Sequence, residues 1–325
     1  MSLYLSRLPG ALALIAGLAA ADGAAAAEYP ARPIRFVVPF AAGGGPDVTA
    51  RLLATELSQR MGQQIVIDNR AGAGGSIGTE MIVRAAADGY TIGYGSISTL
   101  AINRSLIAKL PYDSDKDLHK IVQTYTAPNM LAAALSLPAK TVRELIEYAK
   151  SNPGKLTFGS NGNATSPHLS GELFKNMTGT QIVHVPYKAG QQVVTDMIGG
   201  QLDLTFNNVG LILPHVKAGR LRGLGVTSLK RISSMPEMPT VAETVPGFEV
   251  TAWAGMVVPV GVPAGIVGRL GTEINKALAS PALQEKYAAL GYDAVGGIAT
   301  QFDAFVKKEI VKWAEVIKRS GTKIE

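Results

Sequence analysis

Two glycine- and hydroxyl-rich stretches carry the residue types best suited to holding an anion. The first is Phe40-Ala41-Ala42-Gly43-Gly44-Gly45-Pro46-Asp47, between an apolar run and an amphipathic one. Three consecutive glycines let a backbone approach a ligand closely and adopt positive φ. A helix that starts there points unpaired N–H groups and the positive end of its dipole into the loop, which suits a carboxylate or phosphate. Pro46 fits a first helical turn and removes one donor. Asp47 is expected to cap the helix, and could face an anion only through a water. A tight turn without a ligand accounts for this segment equally well. The second stretch, Ser160-Asn161-Gly162-Asn163-Ala164-Thr165-Ser166, gathers hydroxyls, amides and N–H groups ahead of another helix and contains no strong base or nucleophile. Ordinary capping by Ser and Asn competes with a binding role. Facing each other across a cleft, the two loops would suit a ligand with carboxylates at both ends.

Other chemistry is mostly excluded. The loop 69–78 contains Gly74-Gly75-Ser76-Ile77-Gly78, which matches the nucleophile elbow G-x-S-x-G. That elbow places its serine directly after a strand, whereas the strand here ends near Asp68. A dinucleotide fingerprint beginning at Gly72 fails because position 77 is Ile77, and no phosphate-binding G-x-x-x-x-G-K-[ST] occurs. His119, His168, His184 and His215 lack zinc spacing and have no cysteine partners. His168, beside the second loop, reads as a hydrogen-bonding or packing residue. Trp253 and Tyr187 could form an aromatic wall, with core packing the ordinary role for each. No cofactor is called for.

The elements that would position these loops follow from hydrophobic period. Strands are expected over 34–39, 65–68, 90–94, 156–159, 182–185 and 202–206. Helices are expected over 47–61, 79–87, 142–151, 168–177 and 191–198. Val48, Leu52, Leu53, Leu57 and Met61 form the apolar stripe of the first helix. From Pro263 onward the pattern is mainly helical, with Phe302, Phe305, Val306 and Ile310 on one face. Such alternation predicts parallel α/β sheets, and two separate βα series predict two lobes without showing where the chain crosses between them.

The chain of 325 residues is 47% hydrophobic and 17% charged, which excludes disorder. Its 36 glycines follow no collagen period and belong in loops. The net charge of +6 is scattered, and aromatics are only 6%, unlike a nucleic-acid binder. That excess suits a general preference for anions. Arg7, an apolar stretch over 11–21 and the small residues 24–27 make a secretory signal peptide, residues 1–27, with cleavage near Ala27. The apolar run is shorter than the roughly 20 residues a bilayer requires. With no cysteine there is neither a disulfide framework nor a lipoprotein anchor. A soluble protein released into a periplasm is expected.

Several motifs then fall in a recognisable order. Tyr29-Pro30-Ala31-Arg32-Pro33-Ile34-Arg35, Val38-Pro39-Phe40, Gly43-Gly44, Asp47 and Ala50-Arg51 open it, and Asn69-Arg70-Ala71-Gly72-Ala73-Gly74-Gly75 follows. Gly159-Ser160, Gly162, Thr165, His168-Leu169, Gly171-Glu172-Leu173-Phe174 and His184-Val185-Pro186-Tyr187-Lys188 come next. Gly199-Gly200-Gln201-Leu202-Asp203, Val226-Thr227-Ser228 and Pro239-Thr240 complete it. Across essentially the whole mature chain this resembles the Bug, or TctC-like, family of extracytoplasmic solute receptors of tripartite tricarboxylate transporters.

The resemblance implies an α/β, two-lobed type II periplasmic binding protein fold with ligand in the interlobe cleft. It places lobe 1 near 28–127, rejoined by 253–325, and lobe 2 near 128–252. It implies a small carboxylate held by the two loops and bridging waters. Phe40, Ala42, Gly43 and Gly44 would contribute from the first loop, and Ser160, Gly162 and Thr165 from the second. Asp203 and Asn207 would lie near the cleft. Asp47, Asn161, Asn163, His168 and Ser96 complete the candidate contacts. Ala164, where many relatives have glycine, and Pro46 are expected to narrow or remodel the cradle. The implied partners are membrane permease subunits and a sensor kinase, with a monomeric receptor. Citrate-like acids, acidic amino acids, nicotinate-like acids and aromatic dicarboxylates such as terephthalate all satisfy these features. A periplasmic hydrolase on a similar fold is the alternative, although no nucleophile, base and orienting residue stand in plausible context. A structural or adhesion role would leave the paired loops without purpose.

Overall fold

The computed structural model describes residues 29–232 and 234–320, so the expected signal peptide and its cleavage point lie outside the described residues. Three parallel strands begin the sheet: β1 (Ile34–Val38), β2 (Ile65–Asn69) and β3 (Thr91–Ser96), with β1 central. Burial on both faces explains the near-continuous apolar run Ile34, Phe36, Val37 and Val38. Helices α1 (Gly45–Met61) and α2 (Ser76–Val83) make the crossovers, and α3 (Asn103–Leu106) follows a wider helical turn over Ser98–Ile102. The helix expected over 79–87 therefore starts three residues earlier, directly after the glycine loop.

The strand β4 (Leu118–Ala133) is 16 residues long and was not anticipated. Its first part pairs antiparallel with β9 (Thr251–Pro259), Gln123 opposite Gly255, and with β10 (Asp293–Gly296). From Asn129 onward it pairs instead with β7 (Leu204–Asn208) and β8 (Arg222–Val226), Leu131 facing both Phe206 and Gly225. Bulges at 120–122, 123–125 and 131–132 twist the strand and let it belong to both halves of the sheet. The second half is completed by β5 (Thr157–Ser160) and β6 (Val183–Pro186), parallel to each other. Helices α4 (Val142–Ser151), α5 (Ser166–Thr178), α6 (Gly190–Ile198) and α7 (Val209–Lys217) connect its strands. The path runs β2-β1-β3-β9-β4-β7-β5-β6.

The C-terminal helices α8 (Ala264–Leu278), α9 (Pro281–Ala289) and α10 (Ala299–Ser320) return to the first half. Leu270, Ile274 and Tyr287 join the core that contains Phe36, Leu53 and Leu57. On α10, Glu309 accepts hydrogen bonds from the indole nitrogens of Trp253 (2.8 Å) and Trp313 (3.0 Å). This fixes Trp253 of β9 against the helix. Gly255 lets Phe302 of α10 lie directly on β9, where any Cβ would strike the ring. No helix among the described residues is long and apolar enough to cross a membrane.

Candidate functional site

The two glycine-rich loops leave the C-terminal ends of β1 and β5, one in each half of the sheet, and open onto one cavity. The first loop is held rigid from behind. Asp47 accepts hydrogen bonds from Gly43 N (2.8 Å), Arg51 Nε (3.0 Å) and Asn69 Nδ2 (2.9 Å), while Asn69 also donates to Phe40 O at 3.1 Å. Burial works against charge on Asp47, but the bonds from Arg51, Gly43 and Asn69 hold its pKa below the ordinary carboxylate value. The expected helix cap is therefore corrected. Gly44 occupies the N-cap position, and Asp47, inside the first turn, braces the loop and leaves the start of α1 without a side-chain cap. The first backbone bond of α1 runs from Val48 N to Gly44 O, so donors ahead of it are free of helix partners.

The second loop is held by its own hydroxyls. Ser160 Oγ bonds Gly162 O at 3.0 Å and His184 Nε2 at 2.7 Å, and Thr165 Oγ1 donates to Gly162 O at 2.8 Å. Thr165 stands at the N-cap of α5, yet its hydroxyl points backward and does not cap the helix. His168 Nδ1 accepts from Ala164 N at 3.2 Å, and its ring stacks on His184 at 4.1 Å. Burial, then the neighbouring His184 and Lys175, lower the His168 pKa to about 3; burial and Lys175 lower that of His184 to about 4. Both rings are neutral and structural at neutral pH.

Of the residues expected from sequence, Phe40, Ala42, Gly44, Ser96, Asn161 and Thr165 line the cavity together. Gly43, Ser160, Gly162 and Asn163 of the same two loops, with Asp47 and His168 in the first turns of α1 and α5, are not among the residues of its wall. Asn207 is fully buried and exchanges reciprocal amide hydrogen bonds with Asn161, which it thereby orients toward the cavity. Asp203 is misplaced by the sequence reading. Its carboxylate accepts from Thr157 N (2.8 Å) and Thr157 Oγ1 (2.9 Å), at the opposite end of β5 from the loop. Pro46 lines the cavity, but Ala164 does not narrow it. Ala164 holds a left-handed φ of 62°, and its methyl would stand 3.3 Å from a Cβ at Gly74 in the loop opposite. Gly74 therefore leaves room for Ala164 to stand close to the opposite loop.

Of the aromatic residues that distant strands contribute to the wall, sequence reasoning offered only Trp253, as one part of a possible aromatic wall with Tyr187, which does not line the cavity. Tyr94 and Tyr125 line the floor with their hydroxyls bonded to each other, and burial raises both pKa values far above the ordinary phenol range. Trp253 and Ala252 of β9 add an apolar side, so Trp253 serves both the core and the cavity. Sequence reasoning missed a third βα junction, Lys188 to Gln191, whose position after a strand and before a helix was the available signal. Gln191 Nε2 donates to Gly43 O at 2.6 Å and bridges the two halves over the cavity. The starts of α1, α5, α6 and α7 all contribute to the wall, and none has a side-chain cap. No Asp or Glu lines this cavity, and no cluster suited to a metal occurs among the described residues.

A two-lobed α/β chain whose sheet halves meet at such a cavity has the fold of the periplasmic binding proteins. The comparisons place it more closely: the family described as "Tripartite tricarboxylate transporter family receptor" matches residues 49–322, and the chain belongs to that family. It is 38% identical over 312 residues to the protein BugT of Bordetella pertussis, covering 95% of each chain. It is also similar to Rpa4515 of R. palustris, solved with adipate. That likeness has a TM-score of 0.87 and 37% identity, over 90% of this chain and 98% of the other. MatC of Rhodopseudomonas palustris, solved with bound malate, aligns with a TM-score of 0.84 and 28% identity over 89% of this chain and 100% of its own.

Proposed function

We propose that the protein captures a small di- or tricarboxylate, or an aromatic carboxylate, in its interlobe cleft and delivers it in the periplasm to the membrane permease subunits of a tripartite tricarboxylate-type transporter. The observation that carries this reading is the convergence of four uncapped helix starts on one cavity without a carboxylate on its wall. The adipate and malate of the two similar structures support the same ligand class. The lobes are taken as 28–127 with 253–325, and 128–252, and the chain as a monomer whose signal peptide ends near Ala27. The loop residues Phe40, Ala42, Gly44, Asn161 and Thr165, with Ser96, make the contacts, and a sensor kinase is a further recipient of the closed form.

The Ser160–His184 contact gives the hydrolase alternative its one specific observation. It does not support a nucleophile. Ser160 is fully buried and off the cavity wall, and no carboxylate orients His184 among the described residues. The protein is therefore read as a binder without catalytic residues or cofactor. Calorimetric titration of the mature chain with adipate, malate, citrate, terephthalate, nicotinate and aspartate tests the proposal. Saturable one-to-one binding of at least one acid is expected, and no binding by any refutes it.

A further inference from the structure

Among the described residues, the wall of the cavity carries a single formal charge. Lys188 lies between β6 and α6, exposed at the cavity, and among the described residues it makes no ion pair and no hydrogen bond. The titratable groups on or directly behind this wall do not compete with it. Tyr94 and Tyr125 are held neutral by burial, and Asp47 is bound behind its loop by Gly43, Arg51 and Asn69. The same segment that bears Lys188 ends at Gln191, whose amide reaches across to Gly43, so the cation belongs to the part of one lobe that meets the other.

A carboxylate at an uncapped helix start is satisfied by N–H donors and partial dipole charge. A second carboxylate on the same ligand would meet another uncapped helix start, with partial charge only, or walls of Tyr, Trp, Ala and Leu211, and neither offers a full charge. Lys188 offers one, on a flexible stem that can follow ligands of different length. Enclosure by the opposite lobe lowers the local dielectric and strengthens the pair. Resting on the reading of the cleft as a carboxylate site, we propose that Lys188 recognises a second negative charge on the ligand and so selects dianionic acids over monoanionic acids of the same length.

The test is a ratio. Affinities for adipate and for monomethyl adipate are measured by calorimetry on the mature wild-type chain, on Lys188→Gln and on Lys188→Arg. Because both ligands share one carboxylate and one chain length, any general loosening of the site cancels in the ratio. A partly exposed charge pair predicts that Lys188→Gln lowers the diacid preference about fivefold, that Lys188→Arg retains it, and that added salt erodes it in the wild type and Lys188→Arg but not in Lys188→Gln. A fall of less than about threefold in Lys188→Gln, or an equal fall in Lys188→Arg, overturns the inference while leaving the cleft a carboxylate site. Where the wild type binds neither adipate nor its monoester, the same pair is replaced by malate and its monomethyl ester. Failure of both pairs in the wild type refutes the selectivity, and it refutes the proposed function as well only if the remaining acids of the panel also fail.

Discussion

Replacement of Gly44 by Asp should weaken ligand binding while leaving the fold as stable as before. Gly44 is the N-cap of α1, with φ −79° and ψ 168°, a conformation open to any L-residue. An added Cβ would meet Ala41 O at 3.5 Å and Pro46 Cδ at 3.8 Å, both ordinary contacts. Aspartate is a favoured N-cap, and relative to glycine it should stabilise the helix by a few tenths of a kcal/mol. The same carboxylate, however, would occupy the helix start and repel a ligand's own carboxylate. At about 5 Å separation the repulsion is about 0.8 kcal/mol in a water-like dielectric and about 3 kcal/mol at an effective value of about 20. The cavity is partly open, so about 2 kcal/mol is the reasonable middle, a loss of about thirtyfold in affinity. Gly44→Ala carries the steric change without the charge and should bind within about threefold of the wild type. Calorimetry gives the affinities, and thermal unfolding without ligand reports the fold. Wild-type affinity in a folded Gly44→Asp protein would show that the carboxylate does not sit at the start of α1. Equal losses in Gly44→Asp and Gly44→Ala would show that the cost is steric and that the electrostatic argument is wrong.

Two further outcomes follow from the second loop and the junction. His168 and His184 have folded-state pKa values depressed to about 3 and about 4, so below about pH 6.5 the unfolded chain binds protons that the folded chain refuses. Stability is present in full above that pH and falls as acid is added, by up to roughly 1.4 kcal/mol per unit for the deeply buried His168, until its folded value is reached. His168→Asn keeps an acceptor for Ala164 N, and urea denaturation at pH 7 and pH 5 should show the wild type losing about 2 kcal/mol more than the variant. The same loss in both proteins would contradict the assignment. Gln191→Ala removes the bond to Gly43 O, worth about 0.5–1.5 kcal/mol toward the joined lobes, and should enlarge the radius of gyration of the ligand-free protein in small-angle scattering. Superimposable wild-type and variant profiles would mean that Gln191 does not hold the lobes together.

What the sequence disclosed and what it concealed divide along the range of the forces involved. The first loop was legible because its demands are local: glycines beside an apolar run and an amphipathic one announce a strand, a close backbone approach and a helix start. The strands β1, β2, β5 and β6 were found within a residue or two for the same reason. The strand β4 was not, because it serves two half-sheets in turn, and Gln123, Thr126 and Pro128 break the alternation that one face would impose. With β4 and β9 unseen, Tyr125 could not be placed and Trp253 could be offered only as a possible wall, because the floor exists only once β4 has passed through both half-sheets. Asp203 shows the converse error. An acid near a loop motif looks functional, yet the C-terminal end of a parallel strand faces ligand and the other end does not, and Asp203 braces Thr157 at that other end. Lys188 was in view throughout as part of a motif, but an exposed lysine in a turn carries no local mark of purpose. Its meaning comes from the acids missing around it, a property of the assembled wall. Backbone dipoles therefore define the class of ligand from within short segments. Selection within that class rests on side chains that only the tertiary fold brings to the same cavity.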